Sequence, residues 1–158
     1  MSRIGFGYDS HRFVEGRPLV LGGMCIDYPL GLSGHSDADA VLHALTDAIL
    51  GAIAAGDIGE HFPDNDPRWS GAASSQFVRH ALSLARAAAL RVANCDITIV
   101  TEMPKLKDHK AAMRENVARL LGIAKEWVSI KAKTNEGMGW IGHGEGLAVM
   151  AAVLLEKE

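Results

Sequence analysis

Three short stretches near the amino end carry side chains suited to binding a metal ion. Asp9-Ser10-His11 falls at the end of a predicted first strand. Positions two apart on a strand face the same way, so Asp9 and His11 can converge on one ion. Taken alone, the pair is better accounted for by a turn Asp beside an exposed His. Next, His35-Ser36-Asp37-Ala38-Asp39 leads to His43 and Asp47. Asp39, His43 and Asp47 are spaced i, i+4, i+8, one polar stripe on a helix, and the spacing predicts that the two carboxylates orient the His43 ring. A solvated face would carry Lys or Glu, yet residues 37–54 have neither. Short Asp and His side chains suit a recessed site better. Together Asp9, His11 and His43 offer two imidazoles and one carboxylate, a tetrahedral zinc set with its fourth position open. An open position points to a catalytic ion that polarises a bound oxygen. With no Cys in the set, iron is an alternative and a purely structural ion fits less well.

Two further constellations lie in loops. Asp57 to Pro67 is dense in Gly, Pro, Asp and Asn; it fits a rigid turn, and equally a loop that hydrogen-bonds sugar hydroxyls. Pro104-Lys105-Leu106-Lys107, Lys131 to Glu136 and the glycine-rich run Gly137 to Gly146 supply lysines, a threonine hydroxyl and exposed amides. Those are the parts of a phosphate site, although the spacing is neither a P-loop nor a dinucleotide fingerprint. Glu136 either neutralises its cationic neighbours or holds a magnesium that bridges phosphate oxygens.

The elements that must position these groups follow from periodicity. Arg3 to Tyr8 reads as a strand and Pro18 to Tyr28 as a turn-rich hairpin. A helix is expected after Ser36, which would cap it with Asp39 three positions on. Val41, Leu42, Leu45, Ile49, Leu50 and Ile53 recur at helical spacing up to Ala55-Gly56. A second helix is expected over about Ser74 to Leu90, a strand over Asp96 to Glu102, a third helix over about Asp108 to Leu121 and a strand over Trp127 to Thr134. Asn135 to Gly146 holds five glycines and reads as a loop. Leu147 to Leu155 is an almost wholly apolar last strand. Strands and helices interleave without a linker, which predicts one α+β domain over residues 1–158, with a mixed sheet of four or five strands and helices on one face. Three helices cannot cover the second face, so self-association is expected to bury it.

Composition narrows the function classes. The chain has 158 residues, 22% charged, with 16 Lys+Arg against 19 Asp+Glu. No basic run marks a nucleic-acid partner, and no apolar stretch approaches the ~20 residues of a membrane span. The amino end lacks the pattern of a signal peptide, so a cytoplasmic location is expected. Cys25 and Cys95 fit neither a CxxC nor a disulfide framework and read as buried thiols. Eight of the ten aspartates and four of the seven histidines lie in the first 66 residues, which locates the chemistry there.

Read in order, Arg3-Ile4-Gly5-Phe6-Gly7-Tyr8-Asp9-Ser10-His11-Arg12-Phe13, Gly34-His35-Ser36-Asp37-Ala38-Asp39, His43-Ala44-Leu45-Thr46-Asp47-Ala48, Gly56-Asp57-Ile58-Gly59, Phe62-Pro63-Asp64 and Gly144-Glu145-Gly146 resemble the 2-C-methyl-D-erythritol 2,4-cyclodiphosphate synthases of the non-mevalonate isoprenoid pathway. The resemblance spans essentially the whole chain. It implies a homotrimer with active sites between neighbouring subunits, and zinc on Asp9, His11 and His43. The implied reaction is attack of the 2-phosphate of 4-diphosphocytidyl-2-C-methyl-D-erythritol 2-phosphate on its β-phosphorus, releasing CMP and a cyclic diphosphate. By resemblance, His35 and Thr134 are catalytic, Ser36 helps hold the 2-phosphate, and Glu136 holds magnesium or manganese. Asp57, Gly59, Phe62 and Asp64 would line the erythritol pocket, with Asp66 in the same loop a further candidate contact. Thr101, Met103, Pro104, Lys105, Ala132 and Lys133 would form the cytidine and diphosphate pocket of the neighbouring chain. The zinc ligands Asp9 and His11, with Trp140 and His143 of the glycine loop, complete the candidate substrate contacts. Where this chain has His143, several family members carry an arginine that reaches an axial channel able to hold an isoprenoid diphosphate. A histidine is shorter and mostly neutral at pH 7, which weakens that expectation. A non-catalytic trimer binding isoprenoid diphosphate or nucleotide and a metal-dependent phosphohydrolase are the competing readings.

Overall fold

A computed structural model describes residues 1–158. Its centre is a five-stranded mixed sheet of order β4-β1-β7-β5-β6, formed by β1 (Arg3–Val14), β4 (Gly31–Leu32), β5 (Leu90–Val100), β6 (Val128–Lys133) and β7 (Gly146–Lys157). A separate hairpin joins β2 (Leu19–Leu21) to β3 (Met24–Ile26). β7 runs antiparallel to both β1 and β5, while β5 and β6 are parallel. β1, β5 and β6 therefore point the same way, and their carboxyl ends meet at one end of the sheet.

The expected α+β architecture is present, with instructive departures. β1 runs on to Val14 because β7 pairs with it as far as Arg12 and β4 then takes Phe13 and Val14. Asp9 and His11 thus sit inside a paired strand, not at its end. The first helix, α1 (Ala40–Ala52), starts later than expected because Asp39, not Ser36, caps it by accepting the Leu42 N–H at 3.1 Å. Ser36 instead accepts the Ala38 N–H at 3.2 Å. The loop after α1 contains one helical turn, α2 (Ile58–His61), and a 3₁₀ turn over Pro67–Trp69. α3 (Ser75–Ala87) and α4 (Lys110–Leu121) follow, the latter ended by Gly122 in the left-handed conformation that glycine adopts without penalty. α5 (Gly139–Gly142) is a single turn inside the expected glycine loop. Cys95 is buried as expected, and burial, with the nearby Asp96 charge, pushes its thiol up to about 12. Cys25 is exposed, against expectation, because the alternation of β3 turns it outward.

One core of 35 residues lies between the sheet and the helices. α1 is its innermost helix: ten of its thirteen residues are buried, and His43, Asp47 and Gly51 are the exceptions. Each fully buried leucine there contributes about 2 kcal/mol, which explains why long charged side chains are missing. α1 lies directly on β1. A methyl group at Gly5 would meet the Ala48 carbonyl oxygen at 1.7 Å, and one at Gly7 the Ala44 oxygen at 1.9 Å. The opposite sheet face is uncovered: Ile4, Phe6 and Tyr8 of β1 are 77%, 63% and 52% exposed and pair with Leu154, Ala152 and Met150 of β7. No helix is long and apolar enough to cross a membrane.

Candidate active site

β1 and α1 bring Asp9, His11 and His43 together, the one group in the chain whose potential ligand atoms converge, all within 4.8 Å. Asp9 Oδ2 lies 2.7 Å from His11 Nε2 and 3.1 Å from His43 Nδ1, and the two nitrogens are 3.3 Å apart. Ligands on a tetrahedral zinc at ~2.0 Å stand about 3.3 Å from one another, so the spacing fits an ion at the centre. The donor chemistry fits too. His11 Nδ1–H donates to the Ser33 carbonyl at 2.5 Å, so in the neutral ring the Nε2 lone pair faces a carboxylate oxygen. Two acceptors so placed require a cation or a proton between them. Burial raises the Asp9 carboxyl, but hydrogen bonds and charge from His11 and His43 outweigh it and leave it below its ordinary range. Burial lowers His11, and the Asp9 hydrogen bond and charge outweigh that to raise it.

The corner opens into a cavity of 480 Å³ lined by His11, His35, Ser36, His43, Gly59, Phe62 and Asp64, together with Ile58, Asn65, Trp69 and Phe77 among others. Its apolar wall is a packed aromatic group, with Phe62 and Phe77 centroids 4.4 Å apart and Trp69 edge-on to Phe62 at 4.9 Å. Arg17 ties down the His35-Ser36 loop by donating to the Gly34 and Ser36 carbonyls. His35 Nε2–H donates to the Asp66 carbonyl at 2.9 Å, which fixes the ring at the cavity wall.

Not every acid of this region reaches the cavity. Asp57 caps α2 by accepting the Glu60 N–H at 3.0 Å. The Asp66 carboxylate is turned to Arg68, whose hydrogen bonds hold it below the usual carboxylate range. The assignment of Asp39 and Asp47 to orienting His43 is corrected. The buried Asp39 carboxylate accepts the Gly22, Gly23 and Leu42 amides at 2.9, 2.6 and 3.1 Å, and Asp47 accepts the Ile58 amide at 2.7 Å. The free edge of His43 meets hydroxyls instead: Nε2 lies 2.8 Å from Ser74 Oγ and 3.1 Å from Ser36 Oγ. Ser33, Trp69, Ser74 and Phe77 went unrecognised in the sequence: Ser33 acts through its backbone carbonyl, Ser74 and Phe77 reach His43 across 31 or more residues of chain, and Trp69 joins the wall by packing on Phe62.

A second pocket, of 170 Å³, opens at the carboxyl ends of β5 and β6. Thr101, Pro104, Lys105, Ala132, Lys133 and Thr134 line it, with Leu106, Lys107 and Lys110. Met103 is exposed at its edge and presents its carbonyl to Thr101 Oγ1 at 2.6 Å. Glu102, also unrecognised, holds the following loop by accepting the Asn135 and Gly137 amides at 2.7 and 3.3 Å. This leaves Glu136 exposed, at φ 54°, with its N–H donating to Thr134 Oγ1 at 3.4 Å. Trp140 is partly exposed on α5, and His143 ends that turn at the surface.

Three converging ligand side chains and a lysine-rimmed pocket on one α+β sheet are a donor set suited to a metal ion beside a cluster suited to an anion. Residues 2–156 match the YgbB family, and the chain belongs to it. It is 52% identical over 157 residues to the 2-C-methyl-D-erythritol 2,4-cyclodiphosphate synthase of Geobacillus kaustophilus, covering 99% of both chains. It is 57% identical over 149 residues to the bifunctional enzyme IspD/IspF of Novosphingobium aromaticivorans, covering 94% of this chain but only 39% of that longer protein. A solved 2C-methyl-D-erythritol-2,4-cyclodiphosphate synthase in a CDP-bound form superposes with a TM-score of 0.90 at 42% identity, covering 98% of this chain and 100% of the other.

Proposed function

We propose that the chain converts 4-diphosphocytidyl-2-C-methyl-D-erythritol 2-phosphate into 2-C-methyl-D-erythritol 2,4-cyclodiphosphate and CMP, within isoprenoid precursor synthesis. The observation that carries this reading is the convergence of Asp9 Oδ2, His11 Nε2 and His43 Nδ1 at the mouth of a preformed cavity, in a family whose full-length relatives bear that enzyme's name. A substrate 2-phosphate oxygen attacks the β-phosphorus, one P–O bond forms as the α–β bridging P–O bond breaks, and CMP leaves with the bridging oxygen. Both partners are anions, so alignment and charge neutralisation supply most of the rate.

The chain's residues divide that work. Zinc held by Asp9, His11 and His43 would supply a Lewis acid for the β-phosphate, and magnesium or manganese at Glu136 would offset diphosphate charge. Ser36 offers its hydroxyl to the 2-phosphate, and His35, immobilised by the Asp66 carbonyl, lines the position where charge develops. Phe62, with Trp69 and Phe77, excludes water from the reacting groups, while Gly59 and Asp64 supply polar contacts to the polyol. Lys105, Lys133 and Thr134 meet the diphosphate, and Thr101, Met103, Pro104 and Ala132 meet the nucleoside. These two half-sites are contributed by different copies in a homotrimer, whose assembly covers the Ile4, Phe6 and Tyr8 face. His143, exposed and short, gives the trimer axis a weaker hold on an isoprenoid diphosphate than an arginine would, so His143→Arg should tighten that binding.

The test is product analysis. With zinc and magnesium, the cytidine substrate should yield CMP and a cyclic diphosphate, and chelator should stop both. A hydrolysed product one water heavier would replace this reading with a phosphohydrolase. Full CMP release by a metal-free sample would end the metal-assisted one.

A further inference from the structure

We infer that Asp37 and Ser74 are positioning residues that fix the tautomer of His43 and so aim its Nδ1 lone pair at the metal. The inference rests on the reading of Asp9, His11 and His43 as a zinc site. Its basis is a directed chain of hydrogen bonds from outside the cavity. Asp37 accepts the Ser74 hydroxyl on Oδ1 and the Ser74 N–H on Oδ2 at 3.1 Å. Its Oδ1 also accepts the Asp39 N–H at 3.1 Å. A carboxylate can only accept, so the Ser74 proton is committed to Asp37. Ser74 Oγ, 2.8 Å from His43 Nε2, is then left as an acceptor. His43 must carry its proton on Nε2, and Nδ1 presents a lone pair to the side where Asp9 and His11 wait. Ser36 Oγ is the remaining polar neighbour, 3.1 Å from Nε2 and 3.5 Å from Ser74 Oγ. Because Ser74 can accept the Ser36 proton as well, that contact does not reverse the direction.

A second observation shows that Ser74 is diverted to this purpose. It occupies the cap position of α3, where a serine hydroxyl ordinarily accepts an amide of the first turn. Here Ser74 makes no side-chain capping bond, although it is fully buried. A local preference has been given up, which is the pattern expected where a side chain serves a site. The geometry also separates Asp37 from Asp47: both lie near His43 in sequence, but Asp47 bonds the Ile58 amide and has no place in the chain of bonds.

The experiment measures zinc binding itself, by competition with a chromophoric chelator at neutral pH, on the wild-type chain and on Asp37→Asn, Ser74→Ala and Asp47→Asn. In Asp37→Asn the amide can donate to Ser74, whose hydroxyl is then free to donate to Nε2 and favour the wrong tautomer. Asp37→Asn and Ser74→Ala are expected to bind zinc about 10- to 100-fold more weakly, with the Co(II)-substituted visible bands shifted. Asp47→Asn should bind as wild type does. In the zinc-loaded wild type, the His43 Nε2–H should exchange slowly with solvent, a readout that needs no variant to fold. Wild-type affinity in folded Asp37→Asn and Ser74→Ala, or rapid exchange of that proton, overturns the relay. A wild-type chain with no affinity for zinc overturns instead the metal reading beneath it.

Discussion

The metal corner and the lysine pocket occupy the same end of one sheet but are built differently. The corner is mounted on the middle of β1 and on the most buried helix, and the outward ring nitrogens of His11 and His43 are tied to Ser33 and Ser74. The pocket is formed where β5 and β6 run out into loops, and Lys105, Lys107, Lys110 and Lys133 line it without a carboxylate partner among the chain's ion pairs. The first is organised before any ligand arrives. The second holds positive charge in readiness, a state that is stable only because it is exposed. One chain thus carries a corner held by hydrogen bonds and a pocket whose positive charge has no partner within the chain.

That contrast is open to attack by mutation. His43→Ala should do the most damage, abolishing zinc binding in equilibrium dialysis and lowering kcat/KM by about three orders of magnitude, equivalent to about 4 kcal/mol, with little change in melting temperature of the metal-free chain. Asp39 tests the rigidity behind the corner. Burial pushes its carboxyl up to about 6, against the amides of Gly23, Leu42 and Gly22 that pull it down. A raised acid binds its proton more tightly in the folded state, so its contribution is full below the unfolded value near 4 and is lost as pH rises through 6. The denaturant stability of the wild type relative to Asp39→Asn should therefore shrink by about 2 kcal/mol between pH 4 and pH 7. Lys133→Ala should raise KM roughly tenfold, about 1.4 kcal/mol, while leaving zinc affinity unchanged in the same dialysis. A parallel loss of zinc would show that the two regions are not separate. Smallest of all, Lys131→Ala breaks a half-exposed pair with Asp96 and should move stability by under about 1 kcal/mol and activity not at all.

Much of this was legible in the sequence, for reasons that particular residues make clear. Strand alternation put Asp9 and His11 on one face, and the missing Lys and Glu marked α1 as recessed. What helical spacing could not supply was the destination of each carboxylate. Asp39, His43 and Asp47 do share a helix face, but the true start of α1 makes Asp39 a cap, and the fold of the next turn brings the Ile58 amide to Asp47. The extension of β1 to Val14 depends on its partner β7, which no local pattern reveals. Ser74 lies 31 residues from His43 and 37 from Asp37, and only tertiary packing brings them together. The lysines stood out by type alone, and the structure gathers Lys105, Lys107, Lys110 and Lys133 around one pocket.

Gly5 and Gly7 tie these observations together. With methyl groups there, α1 could not sit at its present height above β1, since each would collide with a carbonyl of that helix. Two of the three candidate metal ligands ride on the strand and the third on the helix, so the separation of the two elements is also the caliper that sets how far apart their donor atoms stand. Gly7→Ala would alter no ligand and no charge, yet it would push His43 away from Asp9 and His11.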